Sequence, residues 1–244
     1  MFIIQEYSYN SENPIYQRIP TTDKHRSMFV PESRVAKDYY LTGFYERAFV
    51  DWTCENFLDK NKNVIDIGAH IGWYAIDMAK KAKHVYAFEC SPKSFNYLCS
   101  NIALNELDYS ISKFNCALSN TNNSVPYYIR DPKDGGGNGI SKFDYDTVNE
   151  VPSILVPCKP LDDFQLENIN FIKMDVEGHE KQVLEGAIQT IVANDYPKIL
   201  FESWDDNKPN LPVQELKQEL FDYIKSTFEY KIIRIGQDMY LAER

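Results

Sequence analysis

The sequence predicts an α/β fold: a seven-stranded, mostly parallel sheet with helices on both faces and a terminal antiparallel hairpin. Three observations predict it. Short apolar runs alternate with segments of helical spacing from Asn63 onward. A glycine turn joins the first such run to the first helical segment, in Val64-Ile-Asp-Ile-Gly-Ala-His-Ile-Gly72. Two strand-like runs, 230–235 and 239–241, lie either side of Gly236 and read as a closing hairpin, which sets the chain apart from a dehydrogenase half-fold.

Residues 1–42 carry Pro14, Pro20 and Pro31 and little periodicity, so they read as an irregular N-terminal extension that helps to cover an acceptor site. Residues 43–244 then read as one α/β domain. Phe44, Ala48, Phe49, Trp52 and Phe57 recur at helical spacing over 44–58. Asn63–Ile67 reads as a strand, 73–82 as a helix and 85–89 as a second strand. Ser91-Pro92 supplies an N-cap followed by proline at the first helical position, opening a helix to about Asn105. Residues 111–118 read as a third strand. Val125-Pro-Tyr-Tyr-Ile129 and Ser153–Lys159 suggest a short antiparallel pair, with the loop 131–139 between them. Phe171-Ile-Lys-Met174 resumes the core sheet, and Val183, Leu184, Ala187, Ile188 and Ile191 share one helical face after it. A strand over 198–201 and a helix bearing Val213, Leu216, Leu220, Phe221 and Ile224 precede the hairpin.

Composition narrows the chemistry. The chain has 244 residues, 43% of them hydrophobic, enough for one buried core. No apolar run approaches the roughly 20 residues of a membrane helix, and Met1-Phe-Ile-Ile is not followed by a leader-like stretch, so a cytoplasmic location is expected. A net charge of −10 disfavours phosphate polymers, and no nucleic-acid partner is expected. Five cysteines without a CxxC pair fit reduced thiols rather than a disulfide or zinc framework. Oligomeric state is not legible.

The chemistry sits in two clusters. In the first, Asp66 precedes Gly68 and Gly72, and Glu89 ends the next apolar run. Glycine lets a backbone approach a ligand closely, and a strand-terminal acid can accept ribose hydroxyls. A dinucleotide turn needs a third glycine and a P-loop needs a Gly-Lys-Ser/Thr ending; both are missing. The GxxxG spacing between two acids instead resembles the class I, Rossmann-like S-adenosylmethionine (SAM) methyltransferases. In the second cluster, Lys173-Met-Asp-Val-Glu-Gly-His-Glu180 follows a core strand and Glu202 ends its neighbour.

Together with Phe88-Glu-Cys-Ser91, Ala117-Leu-Ser119, Pro160-Leu-Asp162 and Thr42-Gly-Phe-Tyr-Glu46, these segments resemble the FkbM family of methyltransferases over roughly residues 40–205. His70 and Cys90 depart from its commoner Asn and Pro. The resemblance implies a SAM-dependent O-methyltransferase, releasing S-adenosylhomocysteine and acting on the hydroxyl of a sugar or other small-molecule acceptor. It implies that Asp66 orients the methionine amino end, that Gly68 and Gly72 line the amino-acid moiety and that Glu89 grips the ribose. Glu46, Ala69, His70, Cys90, Ser91 and Ala117 complete the implied cofactor set. An alcohol must lose its proton as the new bond forms, which calls for a base. Asp175, at the carboxyl end of a core strand, is the leading candidate, with Glu177, His179 and Glu202 beside it. Crowding among these acids is expected to raise some pKa values toward neutrality. The same acids could bind a divalent cation, but no metal set is assigned.

Plainer readings compete. Lone GxxxG glycines can be ordinary turn residues. His70 can cap a backbone, His179 can be a surface residue, and Glu177 can cap its own helix. Tyr39, Tyr40, Phe44 and Tyr45 can stack on a sugar or belong to the core. The loop 131–139 can be a plain connection or a closing lid. Rival functions are a non-catalytic SAM-binding module, a nucleotide-dependent oxidoreductase and an RNA 2′-O-methyltransferase.

Overall fold

A computed structural model of the chain describes residues 17–20, 27–31, 46–133, 136–204, 212–236 and 238–244. In order, the elements are β1 (Gln17–Pro20), β2 (Ser27–Val30), α1 (Arg47–Asn56), β3 (Asn63–Ile67), α2 (Ala75–Met78), β4 (His84–Phe88), α3 (Pro92–Leu104), β5 (Ile111–Phe114), β6 (Ala117–Leu118), β7 (Asn123–Tyr128), α4 (Asp144–Val148) and β8 (Ser153–Lys159). A 3-10 turn (Leu161–Phe164) follows, then β9 (Ile169–Met174), α5 (Glu180–Glu185), α6 (Ile188–Ala193), β10 (Lys198–Glu202), α7 (Val213–Phe228), β11 (Lys231–Gly236) and β12 (Met239–Glu243).

The main sheet has seven strands in the order β11-β12-β10-β9-β3-β4-β5. Strands β5, β4, β3, β9 and β10 run parallel, and β12 enters antiparallel between β10 and β11. The predicted architecture and closing hairpin are present. Both faces of the parallel strands are apolar, as two covered faces require. Val64, Phe171 and Leu200 face α1 to α3, whereas Ile65, Ile172, Ile199 and Phe201 face α5 to α7.

Four segments differ from their predicted form, each for a local reason. The run 111–118 is broken: β5 stops at Phe114, and Asn115 donates its side-chain N–H to the carbonyls of Glu89 and Cys90. Ala117–Leu118 then pairs with β8, which also pairs antiparallel with β7 in the way the sequence suggested. The expected helix over 73–82 shrinks to α2, with turns before it. The single helix after β9 is two, α5 and α6, divided at Gly186. A Cβ there would lie 2.0 Å from the Ser119 carbonyl oxygen, and Asp162 accepts from Gln189 and Thr190 N–H to start the second helix. The N-terminal segment is not wholly irregular, because β1 and β2 pair antiparallel. Asn101 of α3 donates to the Phe29 carbonyl, and Met28 and Val30 join the main core. Most of 1–42, including Tyr39 and Tyr40, together with Phe44 and Tyr45, lies outside the described residues. No helix among the described residues is long and apolar enough to cross a membrane. The five cysteines are free thiols, with Cys116 and Cys158 buried.

Candidate active site

A cavity of about 290 Å³ opens over the carboxyl ends of β3, β4, β9 and β10. That is where open α/β sheets hold their ligands. Glu46, Asp66, Gly68, Ala69, His70, Glu89, Cys90 and Ala117 line it from one side, and Asp175, Glu177 and Glu202 from the other. Residues 136–140, in the described part of the glycine loop, line it as well. Of the predicted site residues, Gly72, Ser91 and His179 do not line it.

The turn after β3 is shaped by its neighbours. Gly68 and Ala69 both donate their N–H to the Phe88 carbonyl, and Asp175 donates its N–H to the Ile67 carbonyl. These bonds pull the Asp175 backbone against Gly68, so a Cβ there would fall 1.8 Å from the Asp175 carbonyl oxygen. Gly68 also has φ of +77°, so its identity is doubly required. Gly72 instead faces Ile76 and Leu98 and serves packing. His70 and Ser91 donate backbone N–H groups to the two oxygens of Glu89, at 2.8 and 2.7 Å. Ser91 also caps α3, accepting from Ser94 N–H.

The acids of this side are buried and perturbed. Asp66 is completely inaccessible; among the described residues its carboxylate oxygens meet no well-formed hydrogen-bond donor, and the Ala75 N–H is the backbone group that favours its charge. Burial raises its pKa to about 6, with Lys173 opposing the rise. Burial raises Glu89 to about 7, moderated by the Ser91 and His70 N–H groups.

On the other side, oxygens of Asp175, Glu177 and Glu202 lie within 4.8 Å of one another. Burial pushes Asp175 up, but Lys173 and a hydrogen bond with Glu202 outweigh it and hold the carboxyl below its usual range. The expected upward shift therefore does not occur at the leading base. Its cause is a residue that the motif reading passed over: Lys173, whose Nζ lies 3.2 Å from Asp175 Oδ2. The trio already has a cation against it, and no metal set is assigned. The signal was a lysine inside an apolar strand, a position that lysine seldom takes unless paired. Tyr74 was also passed over; it lines the cavity and donates its hydroxyl to Glu46 at 3.0 Å.

Glu177 faces the cavity, and the capping that was its alternative role is taken by Glu180. Glu180 Oε1 accepts from Val176 and Gly178 N–H, and burial lifts its pKa to about 7. His179 is a bracket: Nε2 meets Ser119 Oγ at 2.9 Å and Nδ1 meets Ser141 Oγ at 3.0 Å. Burial lowers its pKa to about 4, so the ring is neutral.

Comparisons with known proteins identify the family and the fold. The family profile described as "Methyltransferase FkbM domain" matches residues 66–230. The methyltransferase sdnD of Sordaria araneosa is 25% identical over 207 residues, covering 71% of this chain and 78% of sdnD. The hexuronic acid methyltransferase AglP of Haloferax volcanii is 27% identical over 129 residues, 52% of this chain and 51% of AglP. Stretches of 51 to 60 residues also match three proteins named as tRNA transferases at 41–46% identity. Among solved structures, an FkbM methyltransferase from Methylobacillus flagellatus superposes with a TM-score of 0.55 at 20% identity. That match covers 82% of this chain and 46% of the other, so the chain spans about half the length of that protein.

Proposed function

This chain belongs to the FkbM methyltransferase family, and from that premise we propose that it moves a methyl group from SAM to a hydroxyl, foremost of a sugar or glycan. SAM, with S-adenosylhomocysteine as product, is the cofactor of this methyltransferase fold. The residues present suit it. Asp66 offers two buried carboxylate oxygens that lack a well-formed hydrogen bond among the described residues, which a cationic or N–H group would satisfy. Glu89 has one lone pair left on each oxygen after the His70 and Ser91 bonds, the capacity that two ribose hydroxyls need. Six carboxylates line the cavity, Glu46, Asp66, Glu89, Asp175, Glu177 and Glu202, an environment for cations rather than phosphates.

When bound, the cofactor supplies a methyl group activated by a sulfonium. The chain's own task is to hold the acceptor oxygen in line and remove its proton. As the O–C bond forms, the hydroxyl proton becomes strongly acidic, so a carboxylate of low pKa can take it. Asp175, held ionised by Lys173, is the proposed base. Glu177 and Glu202 are proposed to orient the acceptor by accepting from its other hydroxyls. His179 is proposed to hold the loop that carries Asp175 rather than to move protons. Residues 1–42 are proposed as an extension on the 43–244 domain that shields the acceptor side. The observation that carries this reading is the acid trio facing the Gly68 turn across a single cavity.

An RNA acceptor is the second reading, favoured by the short tRNA-transferase matches and opposed by the charge of −10. The test is S-adenosylhomocysteine release with free sugars, glycosides, amines and tRNA, with product linkage read by mass spectrometry. Methyl ethers on a sugar panel support the proposal. Turnover confined to amines or to tRNA would remove it.

A further inference from the structure

We propose that Lys173 is a positioning residue for methyl transfer, a built-in counter-charge that fixes the Asp175 carboxylate in the cleft. The inference rests on the reading above in which Asp175 takes the acceptor proton. Register carries the first part of the argument. Lys173 of β9 pairs beside Asp66 of β3 on one flank and Leu200 of β10 on the other. Its alternation with Phe171 puts it on the sheet face covered by α1 to α3, and its exposure is only 4%. The ammonium cannot reach water freely, so its partners must come from the protein.

Those partners all belong to the cleft. Nζ lies 3.2 Å from Asp175 Oδ2 and 4.9 Å from the centre of the Tyr74 ring. Tyr74 in turn donates to Glu46. Burial alone would lower the lysine's pKa, but Asp175, Asp66 and Glu46 hold it above the ordinary range. Glu202, at the end of β10, meets the same Asp175 from the side. Lys173 therefore stays charged, has no lone pair to offer as a base, and directs one N–H at the carboxylate that faces the acceptor.

A stabilising role alone does not account for this arrangement. An apolar pair of similar volume would hold the fold about as well as this buried ion pair, whereas removing the lysine alone leaves Asp175 and Asp66 without their counter-charge and destabilises the fold. What methionine could not do is anchor the Asp175 carboxylate at Oδ2 and hold it ionised. Lys173 also lowers the pKa values of Asp66 and Glu89, so SAM affinity of the variants is compared at pH ~9, where both acids stay ionised without it.

The test measures kcat and SAM affinity for Lys173→Met, Lys173→Arg, Asp175→Asn and the Lys173→Met/Asp175→Asn double variant. The expectation for Lys173→Met is a kcat loss of about 100-fold or more with SAM affinity within about threefold of wild type. In the Asp175→Asn background the same change should cost less than about threefold, because both act through one carboxylate. Lys173→Arg, which keeps the charge, should recover at least about a tenth of wild-type kcat. Losses that multiply, or SAM affinity that falls in step with kcat, would overturn the proposal while leaving the methyltransferase reading intact. If Lys173→Met fails to fold, Lys173→Arg decides: turnover as low as that of Asp175→Asn contradicts a charge role. A wild-type protein that methylates no hydroxyl overturns the parent reading, and the inference with it.

Discussion

The half of the cleft around Asp66 and Glu89 and the half around Asp175 and Glu202 share one sheet but are held by different means. The first is fixed by backbone: Phe88 holds the Gly68 turn, and two N–H groups hold Glu89. Its side chains are buried, and both acids have pKa values raised by burial to about 6 and about 7. The second is fixed by side chains: Lys173 holds Asp175, Glu180 caps its loop and His179 ties that loop to Ser119 and Ser141. There the leading acid is pushed down. A backbone-built donor side can serve one constant ligand, whereas a side-chain-built acceptor side can be retuned without disturbing it.

The largest expected effect breaks the first half outright. Gly68→Ala places a Cβ on the Asp175 carbonyl at a positive φ. We expect SAM affinity to fall by at least about 100-fold, with a lower melting temperature, because a buried clash and a strained backbone together cost several kcal/mol. Calorimetric titration checks this.

Asp66→Ala separates binding from folding. Cofactor affinity should drop about 10- to 100-fold, the scale of a hydrogen bond to a charged group. The cofactor-free protein should melt no lower than wild type, since the substitution removes a carboxylate whose pKa burial has raised to about 6. A lower melting temperature would mean that Asp66 holds the fold rather than the donor.

pH sharpens the same contrast. A cationic cofactor and ribose donors favour the ionised forms of Asp66 and Glu89. Affinity should therefore be full above pH ~7.5 and fall as pH drops through about 7 and about 6. A loss of about tenfold or more by pH 5.5 is expected. The stability of the unliganded protein should move oppositely. Both folded pKa values exceed their unfolded ones, so this contribution is complete near pH 4 and is lost as pH rises through 6 to 7. Affinity that is flat from pH 8 to 5.5 would contradict the assignment.

The smallest effect on turnover belongs to His179→Ala. Turnover is expected within about threefold of wild type. Two lost hydrogen bonds of roughly 1 kcal/mol each should lower the melting temperature by about 4 to 8 °C. A large kcat loss without destabilisation would restore His179 as an acid–base group.

The two halves were also unequally legible. The proposed donor side is encoded within 24 consecutive residues, Asp66 to Glu89, in a strand, turn, helix and strand whose spacing forces the geometry. Glu89 could be placed from its strand end alone. The proposed acceptor side draws Lys173, Asp175 and Glu202 from two strand ends, so the direction of the Asp175 shift was not readable. It depends on Lys173, two residues before Asp175, whose ammonium is kept from water and set against the acids only once the sheet and its covering helices are assembled. Similarly, the clean apolar face over 183–191 concealed the Gly186 break, which exists because the Ser119 backbone presses against it. Periodicity reports which face is buried, not what crosses it.

The division of labour itself is tested most directly by titrating SAM into Asp175→Asn and Glu89→Ala and measuring kcat for both. The account predicts that Asp175→Asn binds SAM within about threefold of wild type while turnover falls by about 10² or more, and that Glu89→Ala loses about tenfold or more in affinity. An Asp175→Asn variant that loses the cofactor as badly as Glu89→Ala, or that turns over normally, would contradict it.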